Sequence, residues 1–288
     1  MVTGHTKLLG IIGNPVEHSL SPAMQNAALT EMGLDFIYLP FSVASRDIEA
    51  ALLGFEAVGV VGFNVTIPHK QAIVPYLAQQ TEVAKAVGAV NTVLYRDGGW
   101  WGTNTDVAGF IAPLADPSWG DRTAVILGNG GAARAVVAGL TQLGCGTIHV
   151  VGRDQQKLTH FAESWQASSL GVQLTPHLWQ SLPELLPQTH LLVNTTPVGM
   201  GPQGDRTPVS AEQLASLPQT SLVYDLIYTP RPTKLLQLAQ NQGLQTLDGT
   251  EMLVQQGAAA LALWTQSVTS KPVPVKTMRE TLLAHLSC

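Results

Sequence analysis

The stretch TAVILGNGGAAR, residues 123–134, decides the fold. Thr123 to Leu127 is a β-branched apolar run of strand length, and it leads directly into Gly128-Asn129-Gly130-Gly131 and an Ala-rich helical pattern reaching about Leu143. Gly128 permits a tight turn, Gly130 lets backbone approach a pyrophosphate, and Ala133 is small enough for close helix–strand packing. The free N–H groups and the dipole of the following helix favour an anion there. The next strand, Thr147 to Val151, ends in Gly152-Arg153-Asp154, with Lys157 one turn later. An acidic residue at that tip would hold a ribose 2′-OH. Arg153 and Lys157 instead suit a 2′-phosphate, while Asp154 reads either as the cap of the helix that follows or as a group that weakens phosphate binding. The reading is a dinucleotide site that favours NADP.

Outward from this stretch the chain alternates strands and helices. Before it come strands at Leu8–Ile12, Phe36–Phe41, Val60–Ile67 and Val90–Tyr95, with a hairpin through Asp97-Gly98-Gly99 to Trp100-Trp101-Gly102. Ser21 is expected to cap a helix ending at Met32, and Ser45 one ending near Ala57; residues 69–86 also read as helical. After it come a helix over roughly 154–166 and strands at His190–Asn194 and Ser221–Leu226. Two final helices cover about Glu251–Gln266 and Val275–Leu286. The fold class expected is α/β with two α/β domains, a substrate-binding domain and a Rossmann-like NADP-binding domain with a parallel sheet.

Composition narrows the function. The chain has 288 residues, of which 45% are hydrophobic and 12% charged, with a net charge of −5. Two domains are expected from that length. With 15 Lys+Arg against 20 Asp+Glu there is no basic excess for a nucleic acid. No apolar run approaches the ~18 residues of a membrane span, and MVTGHTKLLG is not a secretory signal, so a cytoplasmic protein is expected. Cys145 and Cys288 build neither a disulfide framework nor a zinc ribbon, and the eight histidines lack metal-ligand spacing; no metal is expected. With so few ionisable groups, one lodged in an apolar segment calls for a reason.

Three segments of the first half carry candidate chemistry. In GFNVTIPHK (62–70) a strand runs through Pro68 to a helix start bearing Lys70. A cation there opposes the helix dipole, so stability alone would prefer Asp or Glu, and a lysine suits proton transfer; the plain alternative is a solvated surface lysine. GTNTD (102–106) puts Asp106 near the expected domain junction, with helix capping as its plain alternative. HSLSP (18–22) offers Ser19 and Ser21, of which a cap needs only one.

These motifs together resemble the shikimate dehydrogenase family. The matching pieces are GNPVEHSLSPAMQNAAL (13–29), GFNVTIPHK (62–70), VGAVNTV (87–93), GTNTDVAGF (102–110), GNGGAAR (128–134), NTTPVGM (194–200), YDLIYTP (224–230) and GTEMLVQQGA (249–258). They span nearly the whole chain in family order. The resemblance implies reversible reduction of 3-dehydroshikimate by NADPH to give shikimate, a step towards chorismate and the aromatic amino acids. It matches Lys70 and Asp106 to the catalytic pair, Ser19 and Ser21 to the substrate carboxylate, and Thr66, Asn91 and Gln256 to ring hydroxyls. Tyr228 carries over too, with a packing aromatic as its plain alternative. The cofactor side takes Gly128, Asn129, Gly130, Gly131, Ala132, Arg153, Lys157, Thr195 and Gly249.

The resemblance further implies a substrate-binding domain over residues 1–105, completed by helices in 250–288, and an NADP-binding domain over 106–249. Where the family commonly has Ala this chain has Asn129, and where it commonly has Asn-Arg-Thr this chain has Gly152-Arg153-Asp154. His18 and His69 lie inside family motifs and receive no catalytic role. The partner expected is a small-molecule substrate, with monomer and homodimer both open. The alternatives are an NAD-dependent quinate/shikimate dehydrogenase, against which Ser19, Ser21 and Arg153 speak, and a non-catalytic nucleotide-binding regulatory module. The latter would have no reason to keep both Lys70 and Asp106.

Overall fold

The computed structural model describes residues 2–114, 119–166 and 168–286. The chain forms two compact units, Met1–Gly109 with Leu253–Cys288, and Phe110–Met252. Each is built on a six-stranded sheet. Among the described residues no helix is long and apolar enough to cross a membrane.

The first sheet contains β1 (Lys7–Gly13), β2 (Phe36–Ser42), β3 (Val60–Val65), β4 (Gln79–Gln80), β5 (Thr92–Arg96) and β6 (Gly99–Thr103), in the order β2-β1-β3-β5-β6-β4. It is mixed rather than wholly parallel: β1 runs parallel to β2 and β3, but β5 is antiparallel to both β3 and β6. The cause is the two-residue turn Asp97-Gly98, where φ is 52° and 79°; both positive values match the right-handed twist of the strands it joins.

Both faces of this sheet are covered. One packs Leu9, Ile11 and Tyr38 against Met24 and Leu29 of the helix Ser21–Met32, and against Val254, Leu261, Trp264, Met278 and Leu282 of the helices Thr250–Thr265 and Val275–Leu286. The other packs Ile12, Phe63 and Trp100 against Ile48 and Leu52 of the helix Ile48–Ala57. The burial of nearly every residue along β1 and β3 explains why they read as continuous apolar runs.

Three local expectations are corrected. Ser21 is the first residue of its helix, not the cap; Leu20 occupies that position, and Ser19 Oγ accepts the Ser21 N–H at 3.3 Å. Ser45 begins a 3-10 turn ahead of its helix and caps nothing by its side chain. Residues 69–86 are not one helix: a single turn His69–Ala72, a 3-10 turn Val74–Tyr76, β4 and the helix Glu82–Val87 follow in series. Pro75 has no N–H to continue the first helix, and Thr81 caps the last by accepting the Ala84 N–H.

The second sheet contains β7 (Thr123–Leu127), β8 (Thr147–Gly152), β9 (Thr175–Leu178), β10 (Leu191–Asn194), β11 (Leu222–Asp225) and β12 (Gln245–Leu247). All pairings are parallel, in the order β12-β11-β10-β7-β8-β9. The edge strands β9 and β12 escaped sequence reading because neither is an apolar run. The helices Gly131–Gln142 and Gln155–Glu163 stand where the glycine-rich stretch and the next strand placed them. Cys288 lies outside the described residues.

Gly62 in β3 tests the first core. A Cβ there would overlap the indole of Trp264 and come within 2.6 Å of the Val93 carbonyl oxygen, the acceptor of the Trp264 Nε1 hydrogen bond. Gly62→Ala is therefore expected to lower the unfolding free energy by about 2 kcal/mol in urea titrations, through overpacking of a full core.

Candidate active site

The order β3-β5-β6, with two antiparallel pairings, makes β3 and β6 run the same way. Their carboxyl ends and the start of β5 therefore share one edge of the sheet. Lys70 lies five residues beyond β3, Asp106 three beyond β6, and Asn91 immediately precedes β5. Topology alone thus gathers a cation, a carboxylate and a carboxamide at one place.

Their contacts are close. Lys70 Nζ donates to Asp106 Oδ2 at 2.5 Å, and the lysine side chain is 19% exposed against 8% for the aspartate. The other carboxylate oxygen, Oδ1, accepts from Asn91 Nδ2 at 2.9 Å. Asn91 Nδ2 also faces Thr105 Oγ1 and Gln256 Oε1, while its Oδ1 takes the Thr105 N–H at 2.7 Å. Gln256 Nε2 is turned to the Leu253 carbonyl.

Asp106 does not cap its helix. That role belongs to Asn104, whose Oδ1 accepts the N–H groups of Asp106 and Val107, leaving both Asp106 oxygens for Lys70 and Asn91. Nor does a helix dipole act on Lys70, since its helix is one four-residue turn. Asp106 is the ion-pair partner of Lys70, so two of its three N–H bonds remain for another acceptor.

Ser19, Ser21 and Thr66 also belong to this unit. Ser21 is buried and Ser19 and Thr66 are half-buried. Thr66 follows β3, with its N–H on the Ile12 carbonyl at the end of β1, while Ser19 sits in the turn after β1. His69 is fully buried, with Nε2 facing the Val43 carbonyl oxygen at 2.6 Å and Nδ1 facing Ser45 Oγ. Sequence reading missed the support beneath the pair. Asn64 donates to the Asn91 carbonyl and to Thr92 Oγ1, and it accepts from the buried Tyr38 hydroxyl. A polar residue between Phe63 and Val65 in an otherwise apolar strand was the available signal.

The second unit carries the nucleotide features. Gly128 has φ +103°, and a Cβ there would stand 2.8 Å from Thr195 Oγ1, so only glycine fits. Thr195 itself bonds the Leu127 carbonyl by Oγ1 at 2.7 Å and buttresses the turn. The helix Gly131–Gln142 begins after Gly130 with no side-chain cap, and the space above Gly130 is open. Its first amides have no side-chain acceptor, which suits an anion, and Asn129, Gly131 and Ala132 around it are half-buried. Asp154 caps the next helix, accepting the Lys157 N–H at 3.1 Å, and its other oxygen lies 4.0 Å from Lys157 Nζ. Arg153 is exposed, and no ion-pair partner holds it among the described residues. These groups fit a phosphorylated dinucleotide.

Two carried-over residues lie farther along this unit. Gly249 passes so close to the Leu226 carbonyl that a Cβ would overlap it. Tyr228 is half-buried, and burial pushes its hydroxyl pKa up.

A second group missed by sequence reading is Asp225, at the end of β11. It is fully buried, with Oδ1 accepting from Asn194 Nδ2 and the Ile227 N–H, and Oδ2 accepting from Thr233 Oγ1. Burial outweighs these donors and raises its carboxyl from 3.8 to about 6. Its position inside the apolar run Leu222–Tyr228 was the signal. A carboxyl raised on folding adds stability below about pH 4 that is lost as pH rises through 6. Asp225→Asn is thus expected to gain about 2 kcal/mol relative to the unmodified chain at pH 8 and little at pH 4, read by urea unfolding at both.

Residues 11–93 match the family model described as the shikimate dehydrogenase substrate binding domain. The chain is 56% identical over 289 residues to the shikimate dehydrogenase (NADP(+)) of Nostoc sp. strain PCC 7120, covering 99% of each. Among solved structures it is similar to a shikimate dehydrogenase in complex with NADP+, at 36% identity and TM-score 0.87, over 99% of this chain and 98% of that one. The Thermus thermophilus shikimate 5-dehydrogenase in complex with NADP(H) and shikimate matches at 32% identity and TM-score 0.83, over 96% of this chain and 99% of that one.

Proposed function

The chain belongs to the shikimate dehydrogenase family, and from that premise we propose that it catalyses the reversible NADPH-dependent reduction of 3-dehydroshikimate to shikimate, with Lys70 and Asp106 as its catalytic pair. The 2.5 Å contact between them, largely shielded from water, carries this reading. The cofactor supplies a hydride equivalent to the ring carbon that bears the oxygen. Lys70 gives a proton to that oxygen during reduction and takes one from the hydroxyl during oxidation. Asp106 holds the ammonium in place and shares its charge, so the proton belongs to the pair rather than to one residue.

Asn91 acts on the pair as well as on the ring. Its carboxamide is committed to Asp106, Thr105 and Gln256, which fixes the carboxylate before substrate arrives. Ser19 and Ser21 would take the substrate carboxylate, and Thr66 and Gln256 the ring hydroxyls. Neutral donors and acceptors of this kind reject analogues that lack a hydroxyl, because they would be left unpaired. Tyr228 is assigned to the substrate on family likeness alone.

In the second unit the Gly128–Ala132 turn would hold the pyrophosphate, with Thr195 and Gly249 shaping its surroundings. Arg153 and Lys157 would hold the 2′-phosphate. The capping bond of Asp154 favours this assignment, since it turns one carboxylate oxygen to the backbone. A cytoplasmic location belongs to the same reading, and light scattering of the purified chain decides between monomer and homodimer.

Lys70→Ala should lower kcat by on the order of a thousandfold while leaving the Kd for NADPH within about twofold. Unchanged turnover would exclude the proposed role. Arg153→Ala should reduce the preference for NADP over NAD by at least roughly tenfold in kcat/KM, the loss of a charge-assisted phosphate bond. Assay with shikimate and quinate against both nucleotides tests the whole assignment; preference for quinate with NAD would overturn it.

A further inference from the structure

The second unit keeps a negative charge in its interior where a neutral amide would satisfy the same donors. Asn194 Nδ2 and the Ile227 N–H both donate to Asp225 Oδ1, which an asparagine oxygen would replace. Thr233 Oγ1 faces Oδ2, and a hydroxyl can accept from an amide as readily as it donates to a carboxylate. Packing and hydrogen bonding therefore explain a polar group at this position but not a charged one.

The place of Asp225 in the fold indicates what the charge acts on. The sheet order β12-β11-β10-β7-β8-β9 reverses between β10 and β7, and in open α/β sheets a nucleotide lies across the carboxyl ends of the strands at such a reversal. The glycine turn at the tip of β7 takes the pyrophosphate, and Arg153 just beyond β8 takes the 2′-phosphate. In that arrangement the adenosine half would extend over β8, and the nicotinamide half towards β10 and β11. Asp225 is the last residue of β11, and its partner Asn194 is the last of β10. Asn194 also holds the loop after β10, through the Thr196 N–H, Thr196 Oγ1 and the Val198 carbonyl. The other carboxylate that bears on Asp225 is Asp248, and Arg231 Nε matches its charge at 2.5 Å.

We propose that Asp225 sets the redox-state selectivity of the nucleotide site, its buried charge favouring the oxidised, cationic nicotinamide over the reduced, neutral one. This rests on the NADP reading of the unit. The two forms share every phosphate and both riboses, so a fixed negative charge near the ring bears on one form alone. Attraction between opposite charges in a protein interior is of a size that corresponds to roughly tenfold or more in relative affinity. The group is ionised at neutral pH, since burial lifts it only to about 6.

The test measures Kd for NADP+ and for NADPH, by nucleotide fluorescence and competition, on the full chain and on Asp225→Asn. The variant should lose NADP+ affinity relative to NADPH by roughly tenfold. Thr233→Val removes a donor that favours the charged carboxyl, so the pH at which the NADP+ to NADPH affinity ratio falls should move upward. The unmodified chain gives a reading that depends on no variant: its NADP+ to NADPH affinity ratio should fall several-fold from about pH 7.5 to about pH 5.3 as Asp225 takes up a proton. The 2′-phosphate is common to both nucleotides and cancels. A ratio that stays within about twofold in folded Asp225→Asn, or across that pH range, would overturn the proposal. Failure of the unmodified chain to bind either NADP form would instead overturn the cofactor reading beneath it.

Discussion

The Lys70–Asp106 ion pair is the interaction on which the first unit is organised. Withdrawing two charges from water is unfavourable unless geometry and further hydrogen bonds compensate, and here both are present. The separation is 2.5 Å, and Asn91 satisfies the second carboxylate oxygen. Asn91 is in turn fixed through Thr105 and, by its backbone carbonyl, through Asn64. The hairpin between β5 and β6 is what makes the pair possible. Without that reversal β6 would not end at the same edge as β3, and the thirty-six residues separating Lys70 from Asp106 would not close on one point.

Most of this architecture is legible in the residues. The apolar runs at 8–12 and 123–127 read as buried strands and Asp97-Gly98 as a tight turn, and the structure has all three. The glycine stretch fixed the strand–turn–helix order of the second unit. What escaped is what local pattern cannot report. β9 and β12 lie at sheet edges, where one side of the strand has no partner and the apolar signal fades. Residues 69–86 carry helical periodicity, yet Pro75 breaks the backbone ladder in the middle, so one helix becomes several short elements. Ser21 and Ser45 have cap chemistry, but capping depends on a backbone geometry that composition does not encode.

The candidate site was legible in a different way. Lys70 stood out because a cation is unfavourable at a helix start, yet the structure removes that reason: its helix is a single turn, and the carboxylate beside it is what matters. Lys70 thus remains a candidate on the ground of its ion pair with Asp106 rather than of a helix dipole. Asn64, Asn194 and Asp225 were overlooked although the first interrupts an apolar strand and the other two end one. All three prove to be buried and hydrogen-bonded, and for Asp225 the low charge content was the available flag.

Asp106 and Asp225 show two ways of keeping a carboxylate out of water, with different chemical consequences. Asp106 is balanced by a cation that retains partial contact with solvent. Asp225 is surrounded by neutral donors in a fully buried position, and none of them can exchange a proton with it near neutral pH. Asp225 therefore carries its charge among neutral donors, whereas that of Asp106 is matched by Lys70. On the proposed reading the two carboxylates divide the work: the Lys70–Asp106 pair follows the proton on the substrate oxygen, and Asp225 bears on the charge of the nicotinamide.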